Sequence, residues 1–458
     1  MIKVIIVLCM FTAGPLILSN LMLGSKVIER SVFGIMFLLI PKKTDFGFFY
    51  DFFNRGGDRG IVIGFNDLLA WSVLLFMITS PRWKKIEWAP KSFPLLLIMF
   101  MYSASTIMWA PRKSYVIFTL FLFIRAYIFF IAVANYLQEM EDVEFFIRAL
   151  VFSVSFQGFF SVYSRYFSGM HQLHGTFGHQ NALAQYVNMV SPIFFSMMLY
   201  GKTKFNNLYL VGLGSAAVCI VGSLSRGGMA IMVLCLGGTL VMSSYDSFKL
   251  RKIRILMLAL LGAALLLAKS FDTIYSRFTG APESSADARD RFNNAALEMA
   301  NDETFGVGLN NFYYSFTTKY IHVAGNNIDR CGPCHHVYFM WAAETGWIGM
   351  WFYVLILVRI TLIPTILVLK RRQNAVSAAA TGLMMGLVGV ELTGLLEPSL
   401  RGFRILTHYA SLAGLGIALD HIDKRNQEEE KRMKKLKKLQ KKRARAAKMQ
   451  AIAARQTD

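Results

Sequence analysis

Three observations predict an all-α protein that crosses a membrane many times. Of the 458 residues, 55% are hydrophobic and only 17% are charged, where a soluble protein of this size carries about 25% charged residues. Apolar runs recur along most of the chain, each of about 20 residues, the length that crosses a hydrocarbon core of roughly 30 Å. The basic residues collect in short loops between the runs and in the tail, the distribution of the positive-inside rule. A soluble fold is excluded.

The net charge of +21 invites a nucleic-acid partner, but its distribution argues against one. Residues 421–458 alone hold 14 Lys/Arg against 5 Asp/Glu, or +9, directly after an apolar run. Such a juxtamembrane basic helix suits anionic membrane lipid.

Taken in order, the first run (MIKVIIVLCMFTAGPLILSNLML) has no small-residue cleavage site and reads as a retained span. Candidate spans are 3–22, 61–79, 94–110, 114–136, 146–165, 182–200, 206–224, 227–243, 252–269, 347–369, 376–396 and 405–420. About twelve spans put both termini in the cytoplasm, with PRWKK (81–85), GKTK (201–204), SFKLRKIR (247–254) and KRRQN (370–374) on the same inner side. The apolar stretch 31–40 is only half a span long and reads as interfacial or re-entrant on the outer side; a thirteenth span there would move the N-terminus outside. GLMMG (382–386) is a small-xxx-small pattern suited to close helix packing. The organisation expected is an N-terminal bundle (1–269), a large and mostly helical external loop (270–336), C-terminal spans (337–420) and a basic cytoplasmic tail (421–458). Within the loop, ADARDRFNNAALEMAN (286–301) has helical spacing through Phe292, Ala296 and Met299.

That topology delivers three separated groups to one face: Arg226 in SLSRGG, Arg289 in SADARDRF, and His335 with His336 where the loop ends. A guanidinium is a permanent cation whose fork matches phosphate oxygens. An imidazole can take a hydroxyl proton near neutral pH. Together they could hold a diphosphate and activate an alcohol beside it, although arginines on such a face often only meet lipid headgroups.

GTFGHQNALAQYV (175–187), SLSRGG (223–228), the run from Arg289 through ALEMANDETFGVGLNNF, and HHVYFMWAAETGWIG (335–349) occur in this order. They resemble the membrane O-antigen ligase and O-antigen polymerase superfamily. The resemblance implies a multi-pass enzyme of the bacterial inner membrane with its site facing the periplasm. Such an enzyme moves a glycan from undecaprenyl diphosphate to a hydroxyl on a glycan, lipid-A core or protein acceptor. It further implies His335 as base and Arg226 and Arg289 as diphosphate ligands, with Arg291 the competitor of Arg289. His336, His179 and Asn181 are accessory candidates; His179 and Asn181 could equally cap a helix. Asn293 stands where the family often has an aromatic residue, and His336 where it often has Asn.

CGPCHH (331–336) also spells a haem-attachment or redox motif. The histidine position is explained without haem, and the small α/β domain that a redox dithiol needs is missing from the pattern. Cys331 and Cys334 are therefore read as a structural disulfide before His335, with a free pair as the alternative. VGLGSAA (211–217) sits inside a span and is discarded as a nucleotide motif. No spacing suggests metal ligands, and a cofactor-free, metal-independent, inverting transfer is expected. Arg125, in mid-span, needs a partner, for which Glu391 is the candidate. Polymerase and protein glycosyltransferase share the motifs with ligase. A lipid-linked glycan transporter or flippase is the rival from another class.

Overall fold

The computed structural model describes residues 2–454 apart from 43–44, 55–56, 84, 202, 244–249, 251, 259–260, 263, 265–267, 269–270, 272–274, 276–282, 325–331 and 373. The helices are α1 (Ile2–Gly24), α2 (Lys26–Leu39), α3 (Phe65–Thr79), α4 (Phe93–Ser105), α5 (Lys113–Tyr136), α6 (Met140–Tyr166), α7 (Gln180–Tyr200), α8 (Asn206–Ser223) and α9 (Arg226–Ser243). They continue with α10 (Glu283–Asp302), α11 (Phe312–Thr318), α12 (Val337–Leu369), α13 (Ala375–Thr393) and α14 (Phe403–Ala454). Among the described residues, seven helices are long and apolar enough to cross a membrane: α5 to α9, α12 and α13. Shorter apolar helices cover Cys9–Gly24, Phe65–Thr79 and Phe93–Met108. Of the span expected at 252–269, residues 259–260, 263, 265–267 and 269 lie outside the described residues, as does most of the start of the large loop.

α7 is the axial helix, buried along its whole inner length from Leu183 to Leu199. α13 packs against it through the predicted small-residue face. A methyl group added at Gly382 would overlap the Ile193 backbone, and one at Gly386 the Met189 carbonyl oxygen. GLMMG thus serves close helix contact, where dispersion between backbones replaces side-chain packing.

Polar bonds define the two ends of the bundle. At one end, Lys370 and Arg372 after α12 meet Asp423 of α14 (2.6 and 3.4 Å), and Arg82 after α3 bridges Glu29 of α2 (3.2 Å) and Asp142 of α6 (3.1 Å). The basic loops read as inner, PRWKK and KRRQN, thus share the end from which the charged half of α14 emerges. At the opposite end α7, α9 and α12 begin and α13 finishes.

Two expectations change here. The 31–40 stretch is not an interfacial segment at the far end. It belongs to α2, which starts beside Arg82 and runs along α6: Arg30 pairs with Asp142 (2.7 Å) and Ser153 donates to the Phe37 carbonyl (3.2 Å). Phe33, Met36 and Phe37 are fully buried, so α1 and α2 form a hairpin that turns at the basic-loop end. The apolar content of 31–40 is core packing. The second change concerns 61–79: its first four residues form a strand, Ile61–Gly64, paired antiparallel with Asp45–Phe48, before α3 begins at Phe65.

The mid-span cation also finds a different partner. Arg125 binds Asp67 through two bonds (2.9 and 2.5 Å) and lies 3.6 Å over the Phe403 ring. Glu391 instead accepts from Thr361 (2.5 Å). Asp67 sits at the first turn of α3, where a carboxylate also satisfies a helix N-terminus; its Oδ2 accepts from Gly64 N (2.6 Å).

Candidate functional site

The far end of the bundle brings the loop, α7, α9 and α12 around one short connection, the link between α13 and α14. Val337 N donates to the Gly394 carbonyl (2.8 Å), which stitches the start of α12 to the end of α13. His335 is thereby set beside Glu397. Above it lies α10, which buries Phe292, Ala296 and Met299 as its spacing predicted, with Ala295 beside them, in a small core with Phe312, Phe316 and Met340.

Glu397 is the hub, and no motif pointed to it. Its Oε1 accepts from Asn181 Nδ2 (2.5 Å) and from the Arg289 guanidinium (3.1 Å), while His335 Nδ1 lies 3.3 Å from Oε2. Three residues named from sequence thus converge on one unnamed carboxylate. A usable signal was present: in the connection EPSLRGFR (397–404), which the predicted topology puts on the same face as His335, Glu397 is the only acid.

The three histidines here differ by hydrogen bonding. His179 caps α7, its Nδ1 accepting from Asn181 N (3.3 Å). His336 caps α12, its Nδ1 accepting from Phe339 N (3.3 Å), and stacks on the Phe339 ring at 3.8 Å. In both, Nδ1 is spent as an acceptor, so Nε2 carries the hydrogen. His335 is the reverse. A carboxylate only accepts, so Nδ1 carries the hydrogen of the Glu397 bond and Nε2 is left to take a proton. Burial lowers the pKa of His336, and burial also lowers that of His179, with Glu397 opposing. Both therefore act as neutral caps.

Asn293, the departure from the family pattern, has a defined task. Its Oδ1 accepts from His335 N (3.2 Å) and from Cys334 Sγ (3.2 Å), tying α10 to the turn that carries His335. Phe292 stacks on the His335 ring at 6.3 Å. Burial pushes the Cys334 thiol up to about 12, which keeps it from acting as a thiolate nucleophile. Cys331 and its pairing with Cys334 lie outside the described residues.

Arg289 is half-exposed on the Glu397 side of α10, whereas Arg291 follows by about 200° of helical rotation and is not among the groups bonded to Glu397. Arg226 opens α9 and is exposed at the same end. Ser225 Oγ caps this helix by accepting from Gly228 N (3.2 Å). A Cβ on the neighbouring Gly227 would sit 2.6 Å from the end of the side chain of Leu396, the residue before Glu397, and would push that side chain aside.

The remaining motif residues build the frame. Val307 N and Gly308 N donate to the carbonyls of Ala343 and Glu344 (2.8 and 2.9 Å), where α12 kinks at Gly346 (φ 70°). A side chain on Gly306 or Gly346 would strike the backbone of the other segment, and both have positive φ. Asn310 binds Asn54, Asp58 and the Tyr115 carbonyl, which fastens this latch to the β-hairpin link and α5. Below it Arg401 pairs with Glu344 at 2.7 Å in a buried contact. Between α4, α5, α12 and α14 lies a cavity of about 300 Å³ lined by apolar and aromatic side chains, among them Phe93, Phe123, Trp341, Tyr353 and Leu400. Trp341 and Leu400 place its upper part six residues after His335 and three after Glu397.

Fold and site together define a polytopic helical membrane protein with a carboxylate-centred, arginine-bearing polar site at one end of the bundle and an apolar cavity among α4, α5, α12 and α14. The comparisons are more specific. The O-antigen ligase family model matches residues 211–354 of the 458, the region that holds Arg226, Arg289 and His335, and this match supports membership of the O-antigen ligase superfamily. No curated protein matches it. The matched family and the apolar helices point to a bacterial integral membrane protein of a glycosyl-transferring class, whose general substrates are lipid-linked glycans and glycan or lipid acceptors.

Proposed function

We propose that this protein transfers a glycan from undecaprenyl diphosphate to an acceptor hydroxyl at the outer face of the bacterial inner membrane, without a metal ion and with inversion. The observation that carries this reading is the polarity of the His335 ring, whose Nδ1 is held by Glu397 so that Nε2 is the proton-accepting atom. The acceptor oxygen attacks the anomeric carbon as its proton passes to Nε2, and the bond from that carbon to the diphosphate oxygen breaks. The lipid diphosphate leaves with its electron pair. Arg289 and Arg226 stabilise it most as that charge develops, so their contribution falls on the transition state. The apolar cavity beside the site suits a polyprenyl chain.

Polymerisation of the same lipid-linked glycan, or transfer to a protein, would use these groups identically. A flippase would use the arginines as a binding track and would have no need of a base. The test is purified protein given undecaprenyl-diphosphate glycan with and without acceptor. Release of undecaprenyl diphosphate only when acceptor is present is expected; release without acceptor, or transport without release, contradicts the proposal.

A further inference from the structure

Glu397 holds more than a ring. One carboxylate oxygen takes both Asn181 and Arg289, and the other takes His335. The Arg289 side chain is 43% exposed while Glu397 is 14% exposed, so the guanidinium keeps donors facing outward while its other edge is tied to the acid. A diphosphate arriving on that open side competes with Glu397 for the same fork, and it offers two or more oxygens at a higher charge than a carboxylate.

We propose that Glu397 is the positioning residue of this site: it orients His335 through Nδ1 and holds Arg289 until a diphosphate takes the guanidinium. Losing the arginine leaves the neutral Asn181 and His335 as the bonded partners of Glu397, with its charge no longer offset by a guanidinium, so donor binding arms the base. This rests on the reading of His335 and Arg289 given above and adds the group that couples them. The charged and titratable groups gathered with Glu397 are Arg289 on α10, His335 before α12, and His179 before α7 with His174 behind it. Of these, Arg289 and His335 contact it directly, and both take part in the reaction.

The test uses the full-length protein in detergent, with Glu397→Gln, Glu397→Asp and His335→Ala beside the parent. Undecaprenyl diphosphate is the binding probe, and single-turnover transfer is measured beside it. Glu397→Gln removes the charge and is expected to lower the transfer rate roughly 10- to 10²-fold, because the imidazole tautomer is no longer fixed. Probe affinity should be unchanged or tighter, because Arg289 is released. Glu397→Asp keeps the charge and should recover part of the rate, and it carries the test if the glutamine variant fails to fold. A purely structural Glu397 predicts that probe affinity and rate fall together, and that result overturns the inference. So does parental turnover in Glu397→Gln, or an aspartate variant no better than glutamine. The two proposals separate cleanly: an active His335→Ala removes the base itself, whereas an inactive His335→Ala beside a parental Glu397→Gln removes only the coupling.

Discussion

Glu397 and Arg401 stand four residues apart in one connection, and each makes an arginine–glutamate pair with a different part of the motif region. Arg401 meets Glu344 at 2.7 Å with side chains 6% and 1% exposed; Glu397 meets Arg289 at 3.1 Å and is far more open. The first pair also receives Phe312 N on Glu344 (3.3 Å) and lies at the kink where the latch docks. Its charges are out of water, so each needs the other and the pair cannot exchange without leaving an uncompensated ion. The second pair keeps one edge in solvent and can trade partners at small cost. The same chemical pair therefore serves as frame in one place and as exchangeable contact in the other, and burial decides which.

The comparison can be broken at either pair. Glu344→Ala strands Arg401 in the interior and should cost about 3–5 kcal/mol of stability, seen as loss of the folded fraction in thermal melts. An equal loss from Arg289→Ala would erase the distinction. Arg289→Lys and Arg226→Lys should leave the melt near the parent while lowering donor affinity and turnover roughly 10- to 10²-fold, because an ammonium has no fork and a charge-assisted bond is worth about 1.5–3 kcal/mol. Donor-binding isotherms beside transfer rates check this.

The smallest effect concerns the histidine that does no chemistry in this account. Burial lowers the pKa of His336, so below about 6.5, the unfolded value, the unfolded chain binds more protons than the folded one and stability falls with pH. His336→Asn keeps an N-cap acceptor and should change stability at pH 7.5 by less than about 0.5 kcal/mol. It should also flatten the acid-side loss between pH 6.5 and 5. An unchanged slope would move that pH dependence to another group.

The helices were legible because apolar length and period are properties of contiguous residues, as with α10 and its Phe292–Ala296–Met299 stripe. α2 was misplaced because a short apolar run looks the same at an interface and in a core; only Glu29, Arg30 and their partners Arg82 and Asp142 distinguish the two, across more than fifty residues of sequence. The strand Ile61–Gly64 was hidden for a related reason, since a short apolar run before a span extends the span. Arg289, His335 and Asn181 were visible through motifs. Glu397 and Asp67 were not, because what they do depends on partners 108 and 58 residues away. Several residues quoted for the family resemblance, Gly306, Asn310 and Gly346 among them, prove to hold the frame and leave the chemistry to others.

The central claim is that Nε2 of His335 takes the acceptor proton, and His335→Ala tests it most directly. A positioned base contributes about 10²- to 10⁴-fold in rate. Single-turnover transfer should therefore fall by that factor while binding of the undecaprenyl-diphosphate donor stays at the parental affinity. Transfer near the parental rate in His335→Ala, with the donor bound normally, would contradict the account.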